Sequence, residues 1–198
     1  LKPLEEDFYT RNVLEVAREL LGKYFVRKIG KKILIGKIVE TEAYSSNDPA
    51  SHSYRGRTPR NDVMFWKGGY LYVYFTYGMH FCANVVTGRE GIGEAVLIRA
   101  VEPISGIDIM HYNRYGTKTK MNIKSLIELT NGPAKFCQAF KIGRKENGIS
   151  LLRGKIFIVE GDKIPSKLIR KSNRIGIKEG TDKEYRFFIN NNLWVSKK

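Results

Sequence analysis

The chain has 198 residues, of which 42% are hydrophobic and 12% aromatic, and its 35 Lys and Arg outnumber 20 Asp and Glu to give a formal charge of +15. That length suits one domain over residues 1–198, and a chain of this size buries roughly two thirds of its unfolded surface, so neither a disulfide nor a metal is needed for folding. No apolar run reaches the ~18 residues of a membrane-spanning helix, which argues against a membrane protein. The opening LKPLEEDFYT also lacks the apolar core of a signal peptide. Cys82 and Cys137 are far apart among apolar neighbours and read as buried, reduced thiols of an intracellular protein.

In chain order, the first clear element is a helix. Val13, Leu14, Ala17, Leu20 and Leu21 follow helical spacing, Asp7 or Thr10 is available as a cap, and Gly22 supplies an end. The segment KYFVRKIGKKILIGKIVETEAY then reads as a hairpin about Gly30, and residues 45–69 as a polar loop. YLYVYFTYGMHFCANVV is a second hairpin turning at Gly78, followed by the strand EAVLIRAVEP, expected to stop at Pro103. Helical character runs from there to about Gly143, with Pro133 near a helix start and residues 113–125 as the candidate mobile loop. KIFIVE and YRFFIN close the chain as strands. Strands joined mostly by hairpins predict one α+β domain on a largely antiparallel sheet.

Three groups of residues stand out chemically. The strand ending VETEAY places Glu40, Glu42 and Tyr44 at alternate positions, hence on one face. Two carboxylates about 6.5–7 Å apart suit glycosidic hydrolysis, although a structural pairing with arginine is the commoner reason for such a pair. Tyr77 sits at the tip of the second hairpin, where an aromatic is an apolar wedge for a base stack, although tyrosines are also simply good strand formers. The loop RGRTPRN offers Arg55, Arg57 and Arg60 for phosphate contacts, or merely a solvated basic surface. The +15 charge attracts polyanions, yet a Lys-rich composition alone would also produce it. No Cys or His pair has ligand spacing, so no metal is expected.

The stretches VETEAY, GRTPRN, LYVYFTYGMHFCAN, AVLIRAVEP, GPAKFCQAFKI, RIGI and WVS, in this order, resemble the 3-methyladenine DNA glycosylases of the alkyladenine (methylpurine) type. The resemblance spans nearly the whole chain. It implies a single mixed domain on a curved, mostly antiparallel sheet with surrounding helices, distinct from helix-hairpin-helix glycosylases. It further implies a monomer acting on double-stranded DNA that contains damaged purines, without a cofactor. The substrates implied are 3-methyladenine and 7-methylguanine, with hypoxanthine and ethenoadenine as further candidates.

The same resemblance assigns roles. Glu42 corresponds to the base that activates water, held with Arg99 and the main-chain carbonyl of Ile175. Tyr44, His52 and Tyr74 correspond to residues around the flipped base, and Asn84 to the side chain that obstructs the exocyclic amino group of guanine. Tyr77, with Met79 beside it, corresponds to the wedge. Arg57, Thr58 and Asn61 fall in the loop along the DNA backbone. His80 departs from the aromatic common at its position. Glu40 is expected to be structural. A non-catalytic DNA-binding module and a glycosidase or nucleosidase of small substrates are the competing functions.

Overall fold

The computed structural model describes residues 1–117 and 121–197. Two short helices, α1 (Glu6–Tyr9) and α2 (Val13–Glu19), lead into the hairpin β1 (Tyr24–Ile29) and β2 (Lys32–Tyr44). The cap of α2 is neither Asp7 nor Thr10 but Asn12, whose side chain accepts from the Leu14 N–H at 2.9 Å. Asn12 directly precedes Val13, so its oxygen alone reaches the open first-turn donors. Val13, Val16 and Ala17 bury the apolar stripe of α2, and the Thr41 hydroxyl of β2 donates to the Ala17 carbonyl at 2.8 Å.

The stretch expected to be a loop contains a 3-10 turn, Asp62–Phe65, before the hairpin β3 (Tyr70–Thr76) and β4 (His80–Val86). β5 (Ala95–Ser105) does not stop at Pro103. β4 pairs only with Ala95–Leu97 of β5, so one edge is free of β4 at the proline, and the register to β2 shifts beside it, between Ile35 and Gly36. Both circumstances accommodate a residue without an N–H.

Helices α3 (Ile107–Tyr115), α4 (Ile123–Ile127) and α5 (Pro133–Ala139) follow, with Pro133 in the first turn of α5. The flanks of the 113–125 segment are thus helical, and its centre, residues 118–120, lies outside the described residues. β6 (Ile149–Ser150), β7 (Ile156–Val159), β8 (Ile169–Ser172) and β9 (Arg186–Ile189) complete the chain. The short β6 and the polar β8 carry too little periodicity to be read from sequence.

Among the described residues the strands form one curled sheet ordered β6-β3-β4-β5-β2-β1-β7, with β9 joining β2 and β8 joining β9, and every pairing is antiparallel. The expected α+β class and antiparallel sheet are what the fold shows. Phe25, Leu34, Ile38 and Ile98 from the sheet pack with Leu20, Phe136 and Phe140 from the helices and the residues that follow them, all with no exposed surface. Cys82 and Cys137 are free and buried. No helix among the described residues is long and apolar enough to cross a membrane.

The central strand positions the site. β2 is long enough to pair along its start with β1 and, at Glu40–Glu42, with β9, while β5 runs along its other edge. Residues 38–43 are all buried, so both faces of this segment are covered. One face carries Thr41 toward α2, and the other carries Glu40, Glu42 and Tyr44.

Candidate active site

Arg99 stands between the two acids. In the β2–β5 ladder Glu40 is opposite Ala100 and Thr41 opposite Ile98, which leaves Arg99 as the extra residue of a β-bulge. Bulges re-aim a side chain out of the regular alternation. Here the guanidinium reaches both carboxylates: Nε donates to Glu40 Oε1 and Nη1 to Glu42 Oε2, each at 3.2 Å. Burial opposes the charge on Arg99, but the adjacent carboxylates of Glu42 and Glu40 outweigh it and raise its pKa.

The two acids differ in their remaining partners. Glu40 Oε1 also accepts from Arg186 Nε at 2.7 Å and from the Ser196 hydroxyl at 3.0 Å, and Oε2 accepts the Ser196 N–H at 2.6 Å. With the Arg99 bond, four donors reach Glu40, three on Oε1 and one on Oε2, and two of the residues that supply them, Arg186 and Ser196, lie outside the cleft lining. Glu42 Oε1 accepts the Ile175 N–H at 2.7 Å, and Oε2 accepts the Tyr44 hydroxyl at 2.9 Å besides Arg99. Three acceptor sites are engaged, so Glu42 retains capacity for one more donor. Tyr44, Arg99 and Ile175 all line a cleft of about 810 Å³, under which Glu42 lies with no surface of its own exposed. Burial first, and the Glu42 charge second, push the Tyr44 phenol well up, so it remains a hydrogen-bond donor.

The wall of this cleft is aromatic. Tyr72 and Tyr74, two apart on β3, stack with ring centroids 5.6 Å apart, and His52 meets Tyr74 edge-on at 4.5 Å. His52 Nδ1 shares a hydrogen bond with the Tyr72 hydroxyl at 3.0 Å. Burial, and then the positive charge of Arg60, lower the His52 pKa and favour its neutral ring. Burial pushes the Tyr72 phenol up to about 12. Asn84, on β4 opposite Tyr72, donates from Nδ2 to the Tyr72 carbonyl at 3.1 Å and lines the cleft while 4% exposed.

At the rim stands the β3–β4 tip. Tyr77 is 83% and Met79 70% exposed. Tyr77 and Gly78 have φ of 50° and 66°, and Met79 N–H closes the turn onto the Thr76 carbonyl at 3.3 Å. Two central residues at positive φ follow the right-handed twist of a hairpin, but Gly, Asn or Asp is the usual choice there. A tyrosine in that conformation is strained, and it presents a large apolar ring to solvent.

The RGRTPRN loop is braced from within. Asn61 is 3% exposed; its Oδ1 accepts the Thr58 N–H at 2.6 Å, and its Nδ2 donates to the carbonyls of His52 and Gly56. Arg57 Nε is paired with Asp62 at 2.7 Å. Asn61, expected on the DNA backbone, is therefore turned inward with both ends of its amide engaged, because the loop's own polar backbone must be satisfied. Arg55 and Arg60, not Arg57, line the cleft. Among the described residues no three His, Cys, Asp or Glu side chains gather as a metal site.

The family model described as methylpurine-DNA glycosylase (MPG) matches residues 7–193. A protein of Carboxydothermus hydrogenoformans is 54% identical over 196 residues, covering 98% of this chain and 99% of its own length. One of Francisella tularensis subsp. tularensis is 53% identical, covering 93% and 94%, and one of Clostridium novyi is 45% identical, covering the full length of both. All three are provisionally named 3-methyladenine DNA glycosylase. The chain belongs to the methylpurine-DNA glycosylase family.

Membership makes it a DNA glycosylase of DNA repair, a hydrolase of N-glycosyl bonds. Of the residues picked out in the sequence, the glycosylase gathers Glu42, Tyr44, His52, Tyr74, Asn84, Arg99 and Ile175 around one cleft, with Tyr77 on its rim. Met79 shares the tip, whereas Arg57, Thr58 and Asn61 lie in the adjoining loop outside the cleft lining. Ile175 meets Glu42 through its N–H, a contact not anticipated from sequence. Also unanticipated were the wall role of Tyr72, legible only as a second tyrosine in phase with Tyr74, and the buried pair of Asp48 with Arg174, the first residue of RIGI.

Proposed function

We propose that this glycosylase removes alkylated purines, 3-methyladenine and 7-methylguanine foremost, from double-stranded DNA by flipping the damaged nucleotide into the cleft. The observation that carries this is the different setting of the two acids. Glu42 is bonded by Tyr44, Arg99 and Ile175, which all line the cleft, and its Oε1 has room for one more donor. Glu40 is bonded also by Arg186 and Ser196, which do not line it. Glu42 takes a proton from water as the water oxygen bonds to C1′, and the electron pair of the breaking N-glycosidic bond leaves with the base. An alkylated purine is cationic and leaves neutral, so it needs no acid. Hypoxanthine or ethenoadenine leaves with difficulty unless protonated. The Glu42 carboxylate also offsets the positive charge that develops on the sugar. Arg99, held between the acids, sets its positive charge beside the Glu42 carboxylate, and the Ile175 carbonyl helps to hold the water.

Tyr44, Tyr74 and His52 suit a flipped, electron-deficient base, since aromatic faces stack on such rings at about 1–3 kcal/mol per base. Flipping costs a few kcal/mol and least for damaged bases, which adds selection. Tyr77 fills the gap left in the duplex, with Met79 beside it, and the loop of Arg57 and Thr58, held in shape by Asn61, runs along the phosphates. Tyr77→Ala is expected to slow excision from duplex more than from single strands, because only a duplex has a stack to refill. Equal losses on both substrates would reduce Tyr77 to a packing residue.

Asn84→Ser removes bulk from the wall where an exocyclic amino group would lie. Release of undamaged guanine is expected to rise, and an unchanged rate would put the discrimination elsewhere. The partner is tested by salt. With about five phosphates contacted, log affinity for lesion duplex falls against log salt with a slope near −4 to −5. A slope near zero, or efficient cleavage of free nucleosides, favours a small-molecule glycosidase instead.

A further inference from the structure

Behind the cleft lies a second charged group that the chemistry above does not use. Arg174 and Asp48 have fully buried side chains. Arg174 Nη1 and Nη2 bond both oxygens of Asp48, the Nη2–Oδ1 contact at 3.0 Å. Nη1 also donates to the Ala43 carbonyl at 2.9 Å and Nη2 to the Gly180 carbonyl at 3.3 Å, while Nε has no hydrogen-bond partner. The guanidinium lies over the Tyr44 ring at 4.7 Å and the Tyr185 ring at 5.4 Å.

As a stabilising device this pair is poorly chosen. Hydrophobic side chains of similar volume often hold a fold as well as a buried ion pair, and the unpartnered Nε adds a desolvation cost. Its connections are more informative. Arg174 holds the backbone of Ala43, which lies between Glu42 and Tyr44, and it immediately precedes Ile175, whose N–H donates to Glu42. It also holds the far end of the 174–180 loop, where Gly180 has φ of 60° and a Cβ would come within 2.8 Å of Asp48 Oδ1. The strand that carries the acid and the loop that supplies its N–H donor are thereby joined at one guanidinium.

We propose that Arg174, clamped by Asp48, is a positioning residue for base release: it holds Ile175 and Tyr44 in register with Glu42 without touching the substrate. This rests on the function proposed above. Misplacing a reacting group by as little as 1 Å can cost about 10²-fold in rate, so loss of the clamp is expected to slow chemistry rather than binding. The test uses two full-length variants. The double variant Asp48→Leu/Arg174→Met removes both charges together and so avoids a lone buried ion. Arg174→Lys keeps a charge beside Asp48 but cannot bridge two oxygens, two carbonyls and a ring.

For each, the folded fraction and melting temperature, the affinity for a 3-methyladenine duplex and the single-turnover release rate at saturating enzyme are measured. The expected result is a folded double variant that binds the duplex within about threefold of wild type and releases base at least about tenfold more slowly per folded molecule, with Arg174→Lys also slowed. Release within twofold of wild type per folded molecule, or affinity lost in step with rate, overturns the proposal. If the double variant does not fold, Arg174→Lys decides by the same criteria. A wild-type chain that releases no base contradicts the function itself; an active wild type with unimpaired variants contradicts only the clamp.

Discussion

Glu42→Gln is expected to lower single-turnover base release by 10²-fold or more, about 3 kcal/mol or above in activation free energy. Glutamine keeps the size of the side chain and one acceptor oxygen, but it cannot take a proton from water or offset charge on the sugar. Its amide also turns a donor toward one of the three donors that now converge on the carboxylate, Ile175 N–H, Tyr44 OH and Arg99 Nη1. Lesion binding is expected to survive and to tighten slightly, because a negative charge near the phosphates has gone. Release at close to the wild-type rate would remove Glu42 from the chemistry.

Glu40→Gln is expected to act on stability. This carboxylate lies between two buried arginines and accepts four hydrogen bonds, from Arg99 Nε, Arg186 Nε and both Ser196 donors. Removing one partner from such a group leaves buried charge uncompensated, which typically costs about 3 kcal/mol or more. For a domain of this size that is a fall of roughly 6–12 °C in melting temperature, at about 2–4 °C per kcal/mol. Base release corrected for the folded fraction is expected to stay near wild type. Thermal melts and single-turnover rates on the same preparations separate the two acids, and a larger rate loss at Glu40 than at Glu42 would reverse their roles.

The contrast between these neighbours shows what sequence can and cannot convey. Alternation along VETEAY places both acids on one face, and the fold agrees, since Arg99 bonds both. Nothing local distinguishes them, because the difference comes from distant segments: Ser196 and Arg186 close over Glu40, while the residue after Arg174 reaches Glu42. The bulge that aims Arg99 is likewise a property of two strands in register, invisible in AVLIRAVEP alone. The hairpins at Gly30 and Gly78 and the Pro133 helix start were legible, since each depends on residues adjacent in the chain. The run past Pro103 was not, because a strand tolerates proline only where its neighbours leave an edge free. The inward turn of Asn61 escaped for a related reason: an exposed-looking polar loop gives no sign of which amide satisfies its backbone.

The most direct measurement is a base-release assay with wild-type enzyme in excess over duplexes that each carry one defined lesion, with free base and abasic sites both quantified. Free 3-methyladenine and abasic sites are expected in equal amounts, with strands intact until alkali is added and undamaged duplex left unchanged. Tight binding of the lesion duplex without release of base would contradict the account and leave a DNA-binding module in its place.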